Sequence, residues 1–426
     1  MHSATHQAIA AVWRIESARI VAALARLLRD LGLAEEAAQD ALVAALEHWP
    51  KDGVPQNPGA WLMTTAKHCA LDLLRRHRVQ GEALEQIGLD LEAQEALLVP
   101  DFTDALDAAR QDEIGDDLLR LIFTACHPVL KPEQRAALTL KLIAGLSTHE
   151  IARAFLVSEA TLAQRIVRAK RTLQEARVPY ELPRGAALGA RLASVLEVVY
   201  LVFNEGYTAT AGEDWMRPAL VQEALRLGRM LAELAAAEPE VQGLQALMEL
   251  QASRLPARTD AQGRPVLLLE QNRAQWDHLL IRRGLAALAQ AEALCAQQSQ
   301  PLGAYALQAA IAACHARATQ AEATDWPRIA ALYEALAQTA PSPVVELNRA
   351  VAVAMAWGPA AGLAIIDTLR DEKALQTYQW LPSVRGDLLA RLGRVQEARA
   401  EFERAATLTH NQRERALLLA RAQALP

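Results

Sequence analysis

Apolar residues fall at helical spacing along much of the chain. From Ala60 onward, Trp61, Leu62, Ala66, Cys69, Ala70, Leu73 and Leu74 share one side, with Lys67, His68, Arg75, Arg76 and Arg78 opposite and Asp72 as the one acid. Before this helix the run from Trp49 to Gly59 carries three prolines and two glycines, and is predicted to break any regular helix. Further on, Ser147 and Glu150 have the spacing of a capping box, so a helix is predicted to start there with Ile151, Ala152 and Phe155 on its apolar side. Leu156 and Val157 then make a tight connection, and Ser158 caps a second helix. That helix buries Leu162, Ile166 and Ala169 and exposes Thr161, Gln164, Arg165, Arg168, Lys170 and Arg171.

Two short helices crossing at a small residue, the second one basic, are the helix-turn-helix pattern, and Gln, Arg and Lys on that second helix suit base edges and phosphates. The same residues also fit an αα-hairpin with a solvated basic flank, and Leu156 stands where the motif usually has glycine. Likewise, the cationic side of the helix after Ala60 fits a solvated face with basic residues near a helix C-terminus.

Composition narrows the fold class. Aromatics make up only 4% of the 426 residues while Ala and Leu recur throughout, so an all-α chain is expected. Charge divides it. Between Arg78 and Arg110 there is no Lys or Arg but many acids, with Gly81, Gly88 and Pro100 interspersed, and the V-P-Y-E-L-P-R-G run at 178–185 makes a second break. The expected parts are a helical domain over 1–80, an acidic linker over 81–110, the helix-turn-helix domain over 111–178, and a larger helical part over 185–426. A net charge of −6 argues against bulk coating of nucleic acid, so DNA contact must be local.

Other chemistry finds little support. Cys69, Cys126, Cys295 and Cys314 form no CxxC pair and are read as reduced thiols; His2 and His6 lack a third ligand, so no metal or cofactor is expected. Cys126-His127-Pro128 reads as a helix end in the core, and Glu197 as part of a core helix followed by a polar turn with Asn204, Glu205 and Tyr207 rather than as half of a paired-carboxylate site. There is no nucleotide-binding or zinc-protease motif, and the chain is not expected to be an enzyme. No basic head with an apolar run opens it and no stretch reaches about 18 uncharged apolar residues, so a cytoplasmic protein without membrane contact is expected.

Taken together, the first two domains resemble bacterial RNA polymerase sigma factors of the extracytoplasmic-function (ECF) type. Leu33 to Trp49 looks like the segment that docks on the polymerase clamp helices, Asn57 to Arg78 like the segment that opens and reads the minus-ten element, and the helix-turn-helix like the reader of the minus-thirty-five element. The resemblance implies polymerase contacts at Glu36, Gln39 and Asp40, and promoter contacts at Lys67, His68, Asp72, Arg75 and Arg76. It places the insert 50–57 on a base-capturing loop, and Ser158, Thr161, Gln164, Arg165, Arg168, Lys170 and Arg171 on the DNA-reading helix. The implied partners are core RNA polymerase and promoter DNA.

In the remaining part, Gly386, Gly393, Ala398, Phe402 and Ala405 follow the small-and-large pattern of a tetratricopeptide repeat, with weaker copies around Tyr333 and Ile365 or Ile366. An irregular helical bundle with one repeat-like hairpin fits as well. The chain is similar to sigma factors with a tetratricopeptide-like extension, which implies control of activity by that extension and a protein or small-molecule partner for the repeats. The other reading is a helix-turn-helix regulator or adaptor that binds DNA without polymerase; residues 33–49, which such a regulator does not need, separate the two.

Overall fold

A computed structural model describes residues 2–78, 117–155, 157–183, 186–208, 216–409 and 412–425. Among these residues there is no strand beyond an isolated bridge between Thr259 and Pro265, so the all-α expectation holds. The chain divides into two compact units, Met1–Val199 and Tyr200–Pro426.

In the first unit, α1 (His2–Leu28), α2 (Leu31–Asp52) and α3 (Pro58–Arg78) form a bundle. Asp30 begins α2 by accepting from the amides of Gly32 (2.7 Å) and Leu33 (2.9 Å), donors that an N-terminal turn otherwise leaves without partners. The buried face of α2 is almost all alanine, Ala34, Ala37, Ala38, Ala41 and Ala45, and such small side chains let the helices approach closely. Trp49, 2% exposed, closes the bundle edge-on to Trp61 of α3 at 5.4 Å.

One boundary differs from expectation. Helix α2 continues through Pro50 to Asp52 before Gly53 ends it at φ 89°, its amide bonded to the Trp49 carbonyl at 3.0 Å. A proline in the last turn removes only one helical hydrogen bond there, so the loop proper begins at Gly53.

The same unit continues with α4 (117–125), α5 (Pro132–Leu142), α6 (Thr148–Ala154), α7 (Glu159–Glu175) and most of α8 (Ala186–Tyr207). The capping box at Ser147 forms as expected: Ser147 Oγ accepts from the Glu150 amide and Glu150 Oε2 accepts from the Ser147 amide. Ser158 Oγ caps α7 through the Thr161 amide at 3.1 Å. Leu162, Ile166, Ala169 and Leu173 are buried, as are Ile151 and Ala152 of α6. The connecting Leu156 lies outside the described residues. Helix α8 is long and apolar enough to cross a membrane by length and composition. Its apolar side, however, is filled by protein: Val195, Val198, Val202 and Phe203 are at most 1% exposed.

The second unit consists of α9 (Pro218–Leu234), α10 (Pro239–Ala252), α11 (His278–Gln297), α12 (Ala304–Arg317), α13 (Trp326–Thr339), α14 (Pro343–Trp357), α15 (Pro359–Thr368), α16 (Trp380–Arg391), α17 (Val395–Leu408) and α18 (Gln412–Gln423), together with the last turns of α8. Neighbouring helices pair along the chain and meet at small residues. A side chain on Gly362 would strike the Ala350 carbonyl at 2.6 Å, and one on Gly386 would press on the Phe402 ring at 3.0 Å. Phe402 is thus the large residue that fills the groove left by Gly386, the exchange that the sequence pattern implies. The polar turn expected at 204–207 is instead the last turn of α8: Glu205 ion-pairs with Arg217, and Gly206 lets the backbone at Val221 approach.

Candidate promoter and polymerase interface

Helix α7 presents its polar side through the 3.6-residue period that buries the other. Ser158, Thr161, Gln164, Arg168 and Arg171 are exposed and Arg165 is half-buried. Ser158 and Thr161 are engaged in capping, their hydroxyls 2.8 Å apart, which holds the helix N-terminus rigid. Arg171 is held along the helix by Glu175 at 2.6 Å, whereas Arg165 and Arg168 make no ion pair among the described residues. A helix offering Gln164 and the adjacent Arg165 near its start and Arg168 one turn on can enter a major groove, with amide and guanidinium groups directed at base edges and phosphates.

Lys170 lies apart from that face. It is half-buried and ion-pairs with Glu35 of α2, a residue only 7% exposed, while Lys141 of α5 reaches the other oxygen of the same carboxylate at 3.9 Å. Helix α7 is thereby tied to α2, the helix on which polymerase contacts are expected. Sequence reasoning missed Glu35 because it is one of two adjacent glutamates, and only its neighbour Glu36 points outward.

A second tie comes from the segment read as a break. The Tyr180 hydroxyl lies 3.0 Å from both the Ala22 carbonyl of α1 and the Asp117 carbonyl of α4. Burial, reinforced by the Asp117 carboxylate, pushes this phenol well above its ordinary range, so it stays a hydrogen-bond donor at any working pH. Asp117, 3% exposed, is paired with Arg26 of α1 at 3.0 Å and with Arg120. A tyrosine between two prolines was the available signal for this anchor.

Helix α3 buries Leu62, Ala66, Ala70, Leu73 and Leu74 and exposes His68, Asp72 and Arg75, with Lys67 half-buried. Arg75 and Asp72 pair at 3.3 Å; the Arg76 side chain lies outside the described residues, as does the acidic linker at 81–110. On α2, Glu36, Gln39 and Asp40 are exposed and continue, one and two turns on, into Val43 (52% exposed) and Leu46 (41%). This strip borders an apolar cavity of about 540 Å³ lined by Ile9, Trp13, Val21, Leu42, Leu142 and Leu146 among others. Two large aliphatic residues exposed beside acids and an amide make a surface suited to a protein partner.

Behind the helix-turn-helix, α8 is fastened by polar contacts. Arg135 of α5, 8% exposed in its side chain, donates to Glu197 at 2.9 Å and also to Ser194, and Arg191 donates to the Phe123 carbonyl at 2.8 Å. Cys126 is fully buried, bonds Thr139 at 3.2 Å, and has its thiol pushed up to about 11 by burial, the opposite of an activated nucleophile. His127 is lowered to about 4 by burial and by Arg191. Cys126 belongs to the core, while His127, half-buried at the helix end, accepts from the Val129 amide at 3.1 Å.

Residues 14–79 match the family described as Sigma-70 region 2, and residues 120–173 match Sigma-70, region 4. Residues 191–292 match a family of unknown function, DUF6596. Among curated proteins, an uncharacterized protein of Rhizobium meliloti (strain 1021) is 44% identical over 397 residues, covering 93% of this chain and 90% of that protein. A probable ECF RNA polymerase sigma factor SigI of Mycobacterium tuberculosis is 25% identical over 173 residues, 41% of this chain and 57% of that protein. No solved structure matches the chain. The two sigma-70 matches cover the bundle α1–α3 and the helix-turn-helix. Sigma factors are DNA-binding initiation factors that join core RNA polymerase at promoters and carry no catalytic centre of their own. The chain belongs to the sigma-70 family, as an ECF-type sigma factor extended at its C-terminal side by a helical part that includes the DUF6596 segment.

Proposed function

We propose that this sigma factor docks on core polymerase through the exposed strip of α2, Glu36, Gln39 and Asp40 with Val43 and Leu46 behind them. It engages the minus-ten element through α3 (Lys67, His68, Asp72, Arg75, Arg76) and the minus-thirty-five element through α7 (Gln164, Arg165, Arg168, Arg171, with Lys170 once released from Glu35). The observation that carries the docking assignment is the aliphatic pair, Val43 and Leu46, exposed on the same side of α2 as the three polar positions. The second unit, a stack of helical hairpins with tetratricopeptide-like small-residue crossings at Gly362 and Gly386, controls this activity.

Holoenzyme assembly from purified core bacterial polymerase and the full chain tests the docking site. The double substitution Gln39→Ala with Asp40→Ala is expected to weaken assembly while the thermal unfolding of the chain stays unchanged. Undiminished assembly would refute it. For control, promoter-specific transcription by the full chain is compared with that by a chain ending after α8, which keeps Arg135 paired with Glu197. Equal transcript yields on a matched promoter library would remove the extension from regulation.

A further inference from the structure

Around the end of α10 and the α12–α13 junction, the second unit gathers cationic and nitrogen-bearing side chains from segments distant in sequence. Arg254 follows α10, Arg273 and Trp276 lie just before α11, and His315 is in the last turn of α12. Arg273 lies over the Trp276 ring at 4.9 Å and is oriented by the carbonyls of His315 (2.6 Å) and Ala318 (2.8 Å) and by Thr324 Oγ1 (3.1 Å). His315 packs edge-on to Trp326 at 5.2 Å. Arg254 stands 5.8 Å from the Tyr207 ring, next to Arg258.

This cluster is short of acceptors. Arg254 and Arg273 make no ion pair among the described residues; Glu322 acts on Arg273 from a distance, and Glu414 acts on Arg258. Four buried nitrogens here lack a hydrogen-bond partner among the described residues: Arg254 Nε, Arg273 Nε, Trp276 Nε1 and His315 Nδ1. Trp276 and His315 are 3% and 8% exposed, so neither side chain can readily turn to bulk water. Burial chiefly, and then the fields of Arg254 and Arg273, lower His315 to about 3, so the imidazole is neutral. Buried donors ordinarily find acceptors, because leaving one without a partner costs about 1–3 kcal/mol.

We propose that Arg254, Arg273, Trp276 and His315 form a binding site for a small molecule bearing an oxyanion, a carboxylate or a phosphate group. Arg273 is pre-positioned by its carbonyl contacts and supplies fixed positive charge. Arg254, half-buried and without a carboxylate partner, closes on the anion as the adjustable donor. The Trp276 indole N–H donates a further bond, and His315 either accepts through Nδ1 from a ligand hydroxyl or donates in the other tautomer. The site lies wholly in the second unit, and its binding is read without polymerase, so the outcome stands apart from the regulatory role proposed above.

The test is calorimetric titration of the full chain with phenyl phosphate and with benzoate, repeated on Arg254→Gln and, as a control for the basic DNA-reading helix, on Arg168→Ala. Saturable binding of at least one probe is expected, weakened about tenfold or more in R254Q, as loss of a charge-assisted hydrogen bond implies, and unchanged in R168A. Binding of phenyl phosphate alone assigns the site to phosphates, of benzoate alone to carboxylates, and of both to the shared oxyanion. Absence of saturable binding by both probes, equal binding by R254Q, or loss in R168A would each overturn the assignment.

Discussion

The pair between Lys170 and Glu35 yields a prediction in which stability and DNA affinity move in opposite directions. Glu35→Gln keeps the shape of α2 but leaves Lys170 and Lys141, whose side chains are 26% and 21% exposed, without their carboxylate. Breaking a fully buried pair costs about 3–5 kcal/mol; with both lysines partly hydrated, a loss of about 1–2 kcal/mol is expected here. If Lys170 must leave Glu35 to reach a DNA phosphate, the wild-type chain gives up the same amount on binding. E35Q should therefore bind promoter duplex about 5- to 30-fold more tightly at low salt. Because Lys170 reaches the phosphate in both proteins, the dependence of log affinity on log salt should stay nearly the same. The assay is fluorescence anisotropy of a labelled promoter duplex across a salt series, beside urea unfolding of the same proteins. Lys170→Met supplies the control: in that background E35Q should change affinity little, since the side chain that is released to the phosphate is gone and Lys141 stays on α5. An affinity gain that persists with K170M would show a general charge effect, and no gain in either background would refute the linkage between α2 and α7.

Three other expectations follow from named contacts. Gln164→Ala should relax upstream sequence preference while leaving the salt slope intact, whereas Arg168→Ala should weaken binding to all sequences and flatten that slope by about one; equal effects of both, measured by anisotropy on a promoter library, would count against the assignment. Arg385, 10% exposed in its side chain, holds Glu401 at 2.7 Å and Asp367 at 2.9 Å, so Arg385→Met should destabilise the second unit by about 3–5 kcal/mol in thermal unfolding, with part of the loss restored by adding Glu401→Gln. His315, lowered to about 3 in the folded chain against an ordinary value of 6.5, takes up its proton earlier when unfolded. Stability should thus be level above about pH 6.5 and fall by up to about 1.4 kcal/mol per pH unit as the pH drops toward 3. In His315→Phe that part of the slope should vanish, and an unaltered slope would assign it to other groups.

Helix identities were legible in the sequence because the information for them is local. Ser147 with Glu150 and Ser158 with Thr161 satisfy amides three residues away, and the buried stripe Leu162, Ile166 and Ala169 is a matter of period alone. The exposure of Glu36, Gln39 and Asp40 follows from the same period. Gly386 facing Phe402 was legible too, since a small residue opposite a large one is what close helix crossing needs. Local rules fell short at Pro50, where a terminal turn tolerates proline, and at Tyr207, where α8 outlasts its glycine.

What only the tertiary structure decided are the pairings between side chains far apart in the chain: Glu35 with Lys170, Tyr180 with the Ala22 and Asp117 carbonyls, and Arg273 with the His315 and Ala318 carbonyls. The reason is physical. A capping bond or a helical stripe is set by neighbours within two turns, whereas a buried carboxylate takes whichever cation the packing delivers, and each pairing here spans 42 to 158 residues or, for Glu35 and Lys170, two separate helices of one unit. The sequence by itself determined the helices and the family they belong to; the packing determined that α7 and α2 meet in a pair between Lys170 and Glu35.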